Sequence, residues 1–205
     1  MKAVELRQSI LQAVVQGRLI PQNPSDESAS ELLKRIQQEK TRLIKESKIK
    51  KEKPLPPITE DEIPCDLPQG WVWCRLGEVC IKLTDGAHLT PRYVESGVPF
   101  LSVKDISSGK IDFTNTKFIS QVEHDELFQR CNPEKGDMLL TKVGTTGIPV
   151  IVDTDRQFSL FVSVALLKFG KECCDIRYLC HLIKSPLVYG QSQKTLEASG
   201  IKIGV

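Results

Sequence analysis

The sequence predicts an α+β fold, with a strand-rich domain over residues 64–205 preceded by a helical segment and proline-rich linker over residues 1–63. Three observations carry this. In two stretches before residue 48, apolar residues recur at three- and four-residue steps, the period of an amphipathic helix. Lys53-Pro54-Leu55-Pro56-Pro57 then halts any helix, because proline lacks an amide donor and biases its predecessor to extended geometry. Beyond Leu67, apolar residues come in short runs bounded by Gly, Pro and Asp, the mark of strands.

The first helix runs from Ala3 to about Gly17, where Ala3, Leu6, Ile10, Leu11, Val14 and Val15 recur and Gly17 is a natural stop. An isolated helix of ~15 residues is marginal in water, so this broad apolar face must pack on something. Asn23-Pro24-Ser25-Asp26 is a turn. Ser28 or Ser30 can cap a second helix from about Ala29 to Ser47, with Glu31 at its start and Leu32, Leu33, Ile36, Leu43 and Ile44 as its apolar stripe. Lys34–Lys53 holds nine basic and three acidic residues, which suits either a solvated helix end or a phosphate-contacting surface. The acidic Thr59-Glu60-Asp61-Glu62 leads to Pro64, where the domain boundary is placed.

Strands are expected at Trp71–Leu76, Val79–Leu83, Val98–Val103, Phe118–Ser120, Asp137–Val143, Val150–Val152 and Phe161–Phe169. Helices are expected at Val122–Gln129, Ile176–Ser185 and Val188–Ala198. No internal repeat is present.

Composition narrows the function classes. The longest apolar run, Phe161–Leu167, is strand length, well short of the ~20 residues a membrane helix needs. The N-terminal MKAVELRQSILQ carries charges throughout, unlike a signal peptide, so the expected compartment is the cytoplasm, with no membrane association. Residues 64–205 hold 16 basic and 16 acidic residues, so nucleic-acid binding would have to come from local clustering of cations. The seven cysteines form no C-x-x-C pair, which argues against a zinc ribbon or a thioredoxin-like site. Buried, reduced thiols are preferred to a metal site at Cys173-Cys174 and Cys180-His181. His88, His124 and His181 lack the spacing of a nucleophile–base pair or of metal ligands.

One stretch has the chemistry of recognition. Thr84-Asp85-Gly86-Ala87-His88-Leu89-Thr90-Pro91-Arg92-Tyr93 is a polar loop between strand-like segments, with hydroxyls, a carboxylate, an imidazole and a guanidinium.

These residues resemble the N-terminal half of the specificity (S) subunit of type I restriction-modification systems, with one target recognition domain. Leu67-Pro68-Gln69-Gly70-Trp71-Val72-Trp73-Cys74-Arg75-Leu76-Gly77-Glu78 looks like the family's entry into that domain. Asp85-Gly86-Ala87-His88-Leu89-Thr90-Pro91 with Gly97-Val98-Pro99-Phe100-Leu101 is similar to its next segment, and Gly136-Asp137-Met138-Leu139-Leu140 with Gly144-Thr145-Thr146-Gly147 to a third. Leu6-Arg7-Gln8-Ser9-Ile10-Leu11-Gln12-Ala13 and Gly17-Arg18-Leu19 look like the end of the family's long spacer helices. A complete S subunit carries two recognition domains and two spacers, so the resemblance implies a half-subunit, as a natural short form or a fragment.

The resemblance implies a non-catalytic subunit that reads one half of a bipartite double-stranded DNA target and directs methyltransferase (M) and restriction (R) subunits. It implies no cofactor in this chain, with S-adenosylmethionine, ATP and Mg acting in partner subunits. A half-subunit can also pair with itself to imitate the two-domain reader. The residues agree with a non-enzyme: the only Pro-Pro follows Leu55 rather than Asp or Asn, and no G-x-G-x-x-G or P-loop occurs. Glu46-Ser47-Lys48 has a nuclease-like E-x-K form but no acidic strand partner.

Base reading needs hydrogen bonds to base edges, held in register by phosphate contacts. Asp85 can accept from a cytosine amino group, or simply bond the backbone of a turn. Arg92 can pair with guanine, Thr84 and Thr90 can use hydroxyls or methyls, and His88 can donate or meet a phosphate. Lys142-Val143-Gly144-Thr145-Thr146-Gly147 is a second candidate, either a phosphate cradle with Lys142, Thr145 and Thr146 or a hairpin turn. Lys104, Lys194 and Lys202 are further phosphate candidates. Trp71 and Trp73 read as packing residues rather than base stackers. The alternative is a non-DNA interaction module in which helices 1–17 and 29–47 mediate assembly.

Overall fold

Chain stops and caps set the helical elements. In the computed structural model, which describes residues 3–170, 175–192 and 201–204, α1 (Ala3–Val15) ends where Gly17 turns left-handed at φ +64°. The Gly17 amide donates to Val14 and that of Arg18 to Ala13, a glycine-capped helix end. A Cβ on Gly17 would also lie 2.6 Å from Pro68 Cγ, so this stop is fixed by sterics as well as by backbone torsion. Ser28 caps α2 (Ala29–Lys45) by accepting from the Glu31 amide, and Ala29 and Ile36 form the buried part of its apolar stripe.

Internal contacts divide the chain into two units, residues 1–81 with 169–205, and residues 82–168. The proline-rich boundary expected near residue 63 falls within the first of them. There, α1 packs against α5 (Ile176–Lys184) and α6 (Pro186–Ser192), and α2 against the short α3 (Leu76–Val79). Strand β1 (Trp73–Arg75) pairs antiparallel with β9 (Lys202–Gly204).

The linker in this unit is docked rather than loose. Arg75, 7% exposed, donates to the carbonyls of Pro56 and Pro57 and pairs with Glu62 at 2.7 Å. Hydrogen bonds from Arg75, then from the Thr59 backbone, hold the Glu62 carboxyl down to about 2. Trp71 donates to Gln22 and stands edge-on to Tyr178, and Trp73 donates to the Cys65 carbonyl, so both indoles serve packing.

The second unit is built from strands. β2 (Cys80–Asp85) runs into it from the first. A four-stranded sheet has the order β2, β8 (Val164–Phe169), β5 (Met138–Thr141), β6 (Pro149–Ile151). A three-stranded sheet has the order β4 (Lys117–Ile119), β3 (Val98–Leu101), β7 (Ser159–Leu160), with β3 and β7 parallel. Leu139, Leu166, Val150, Leu101, Ile106 and Phe158 share one core cluster, and Val98, Phe100, Ile119 and Ala87 another. Helix α4 (Gln121–Arg130) is capped by Ser120, which accepts from the Glu123 amide.

Four expectations change. Phe161–Phe169 is not one strand: the Val164 amide donates back to Phe161, making a turn between β7 and β8. Only Trp73–Arg75 of Trp71–Leu76 is strand, and Leu76 opens α3. The last helix spans Pro186–Ser192, with residues 193–198 outside the described ones. Thr84 and Asp85, expected in a loop, are the final residues of β2.

Candidate nucleic-acid interface

Gly86 explains why the polar stretch takes its shape. A Cβ there would lie 2.2 Å from the Leu160 carbonyl oxygen and 2.4 Å from that of Phe161, so only glycine lets the chain lie against this backbone. Around it the backbone is stitched down. The Gly86 amide donates to Val164 at 3.2 Å, the Ala87 amide to Leu160 at 2.7 Å, and the Val162 amide to the Ala87 carbonyl at 2.9 Å. Beyond Ala87 the chain leaves the sheet: His88, Leu89 and Thr90 are exposed, Pro91 is buried, and Arg92 and Tyr93 are exposed again.

Helix α4 grips this turn at both ends. From its last residue, the Arg130 guanidinium donates to the Gly86 carbonyl. From its first turn, Glu123 Oε1 accepts from the Arg92 amide at 3.2 Å. The side chains of His88, Thr90 and Arg92 are thereby presented outward on a fixed frame. Lys117 lies over the Tyr93 ring at 5.9 Å and adds a cation beside them. Arg130, Glu123 and Lys117 were missed in the sequence, since they act on residues 44, 31 and 24 positions away.

The second candidate stretch is a hairpin turn between β5 and β6. The Gly147 amide donates to the Thr141 carbonyl and the Ile148 amide to Thr141 Oγ1. Thr145 is exposed and Thr146 half-buried. Lys142 Nζ meets Asp85 Oδ2 at 2.7 Å, with the two side chains 18% and 23% exposed. This ion pair joins the base of one candidate stretch to the base of the other. It also occupies the ammonium offered to a phosphate and the carboxylate offered to a cytosine amino group.

Two other lysines are similarly engaged. Lys104 Nζ contacts Asp105 at 2.8 Å and the Asn115 carbonyl at 2.7 Å, and Asp105 itself accepts from the Ser102 amide and hydroxyl. Lys202, on β9 of the first unit, pairs with Glu62 at 3.2 Å. Lys194 lies outside the described residues.

Other buried or partly buried polar groups are paired within the fold. His124 Nδ1 lies 2.8 Å from Ser159 Oγ, but the residues are 1% and 0% exposed, so no substrate reaches this pair. Burial lowers the His124 pKa, against the opposing pull of Asp125. Lys82 donates to Asn132, and burial lowers its pKa too. Lys168 bridges Asp137 and Glu134, yet burial outweighs the pairing and raises the Asp137 carboxyl. Among the described residues no group of three or more His, Cys, Asp or Glu side chains is placed to hold a metal ion. Cys74, Cys80, Cys131 and Cys180 are buried, and burial pushes the Cys131 thiol up to about 11. Cys173 and Cys174 lie outside the described residues. No described helix is long and apolar enough to cross a membrane.

No protein-family model matches the sequence. Two curated relatives do. The chain is 36% identical to the Type I restriction enzyme EcoEI specificity subunit of Escherichia coli over 178 residues, 80% of this chain and 28% of that protein. It is 48% identical to the EcoAI specificity subunit of the same organism over 122 residues, 60% of this chain and 20% of that protein. The chain thus spans less than a third of either relative's length. Among solved structures, the HsdS subunit from Thermoanaerobacter tengcongensis aligns with 98% of this chain and 45% of its own, at 18% identity and a TM-score of 0.46. Over the parts they share, the chain is thus similar to type I restriction enzyme specificity subunits.

Proposed function

We propose that this chain reads one half of a bipartite sequence in double-stranded DNA, and that residues 64–205 act as the target recognition domain. The observation that carries this is the turn 88–92, which displays His88, Thr90 and Arg92 on a frame fixed at both ends. Such side chains meet base edges and phosphates, and a fixed frame lowers the ordering cost of doing so. The curated relatives are specificity subunits, which supports the same reading.

Under this proposal the exposed tip reads bases. Thr84, Thr145 and Thr146 are further candidates for DNA contact, and the Asp85–Lys142 pair fixes the two stretches to one another. Lys104, Lys194 and Lys202 remain candidates for the phosphate backbone, the first and last by exchanging their present partners. The chain does no chemistry itself. Methyltransferase subunits, with restriction subunits joined through the complex, supply S-adenosylmethionine, ATP and Mg chemistry, and the target adenine is flipped into the methyltransferase. Self-pairing of two copies would present two recognition domains, and the site of action is the cytoplasm.

The test is selection from a random-sequence duplex pool with the methyltransferase subunit present. Enrichment of one sequence, with affinity falling as salt rises, is expected. Failure to enrich any sequence would sink the proposal. One observation favours a second reading, an assembly module: Val4, Leu6 and Ile10 of α1, with Leu19 and Ile20 after it, are exposed apolar side chains. On that reading Ile10→Glu abolishes assembly while the fold survives, and no sequence is enriched.

A further inference from the structure

Leu89 is 84% exposed, more than any other large hydrophobic side chain among the described residues. Its surroundings keep it there. Ala87 is buried and bonded to Leu160 and Val162, Pro91 is buried, and the Arg92 amide is held by Glu123. The turn therefore has little freedom to fold the leucine back onto the protein. A leucine so placed contributes almost no buried area to the fold.

On either side of it stand hydrogen-bonding side chains, His88 and Thr90. The major-groove edge of a base pair offers donors and acceptors to such groups, and one apolar feature, the C5-methyl group of thymine. We propose that Leu89 is a specificity-determining residue that reads a thymine methyl group within the target. This rests on the DNA-reading function proposed above and assigns a ligand feature to a residue that hydrogen bonding leaves without a role. An apolar side chain flanked by polar ones matches a groove wall where polar and apolar features alternate. It matches less well the uniformly apolar gap between two stacked bases. Because the turn is fixed before binding, closing the methyl contact costs little ordering of the backbone.

The experiment uses the chain with its methyltransferase subunit and the duplex that random-pool selection yields. Each thymine of that duplex is replaced in turn by uracil, which removes only the methyl group. The native protein is expected to lose about fourfold in affinity at one position, the worth of burying a single methyl-sized group. Leu89→Ala is expected to bind thymine and uracil equally there while keeping its preferences elsewhere, and Leu89→Met to retain discrimination. Three results would overturn the assignment: a selected site with no thymine, a Leu89→Ala protein that still tells thymine from uracil as the native does, or equal losses on both duplexes accompanied by loss of a DNA bend, which would make Leu89 a wedge between base steps. A pool that yields no sequence at all would instead overturn the reading function, so the two failures are distinguishable.

Discussion

The stretch 84–93, with its turn 88–92, and the hairpin 142–147 look alike in composition, each with a cation, hydroxyls and at least one glycine. The structure separates them. In the first, the backbone does the bracing: amides and carbonyls of Gly86, Ala87 and Arg92 are tied to β7, β8 and α4, and the side chains of His88, Thr90 and Arg92 project outward. In the second, main-chain bonds such as Gly147 to Thr141 and the Lys142 amide to Ser163 close the hairpin, but the charged side chain is drawn into the bracing as well, since Lys142 Nζ is paired with Asp85. A cation in a loop is available to a ligand only when something else holds the loop. Main-chain hydrogen bonds leave side chains free, and side-chain ion pairs do not.

The comparison breaks most sharply at Gly86. Gly86→Ala places a methyl group 2.2 Å from the Leu160 carbonyl oxygen, with backbone rather than a flexible side chain in the way. The expected cost is about 3 kcal/mol of stability, measured by urea unfolding. Gly144 of the hairpin carries no such penalty through contact, because a Cβ there meets nothing within 4 Å. A Gly86→Ala protein as stable as the native one would mean that β7 and β8 yield readily and that the first turn is not rigidly framed.

Smaller effects come from the two braces themselves. Arg130→Ala leaves the Gly86 carbonyl without its charged donor. It should cost about 1–2 kcal/mol in stability and lower both affinity for the selected duplex and its sequence preference. Lys142→Met leaves the Asp85 carboxylate without its partner, but with a quarter of it open to water the cost should be about 1 kcal/mol. The sequence preference and salt dependence of binding sharpen the contrast. Arg92→Ala should relax sequence preference at one position with stability unchanged, while Lys142→Met should lower stability and leave both preference and salt slope nearly intact. A full unit of slope lost in Lys142→Met would show that its ammonium leaves Asp85 for a phosphate.

What could be read from the sequence follows from contact range. Ser28 and Gly17 mark their helix ends through neighbours three to five residues away, so those helix ends were legible. β9 was not, because its partner Trp73–Arg75 lies about 130 residues distant and its own three residues carry no strand pattern. The turn between β7 and β8 was hidden for another reason: Phe161, Val162 and Ser163 contain neither Gly nor Pro. In the candidate site, the sequence displayed the residues on show but not the helix that shows them. Nor could it tell that Asp85 and Lys142, 57 positions apart, would neutralise one another.

The same helix makes the first turn sensitive to pH in a way the hairpin is not. His124 sits on α4, buried against Ser159 of β7 and 5.1 Å from the Phe128 ring. Burial disfavours its imidazolium and outweighs the attraction of Asp125, so its folded pKa lies below the ordinary 6.5. The unfolded chain therefore takes up a proton first as pH falls. Its contribution to stability is complete above about 6.5 and is lost as pH drops below that value, until the folded pKa is reached. The strain falls where α4 meets β7, on the elements that hold the Arg92 and Ala87 amides. Between pH 7 and pH 5.5, protection of those two amides against hydrogen exchange, corrected for intrinsic rates, should fall more than that of the Gly147 amide in the hairpin. His124→Gln should remove the difference. Equal loss at all three amides would mean that acid opens the unit as a whole, and that α4 is not a separate brace for the exposed turn.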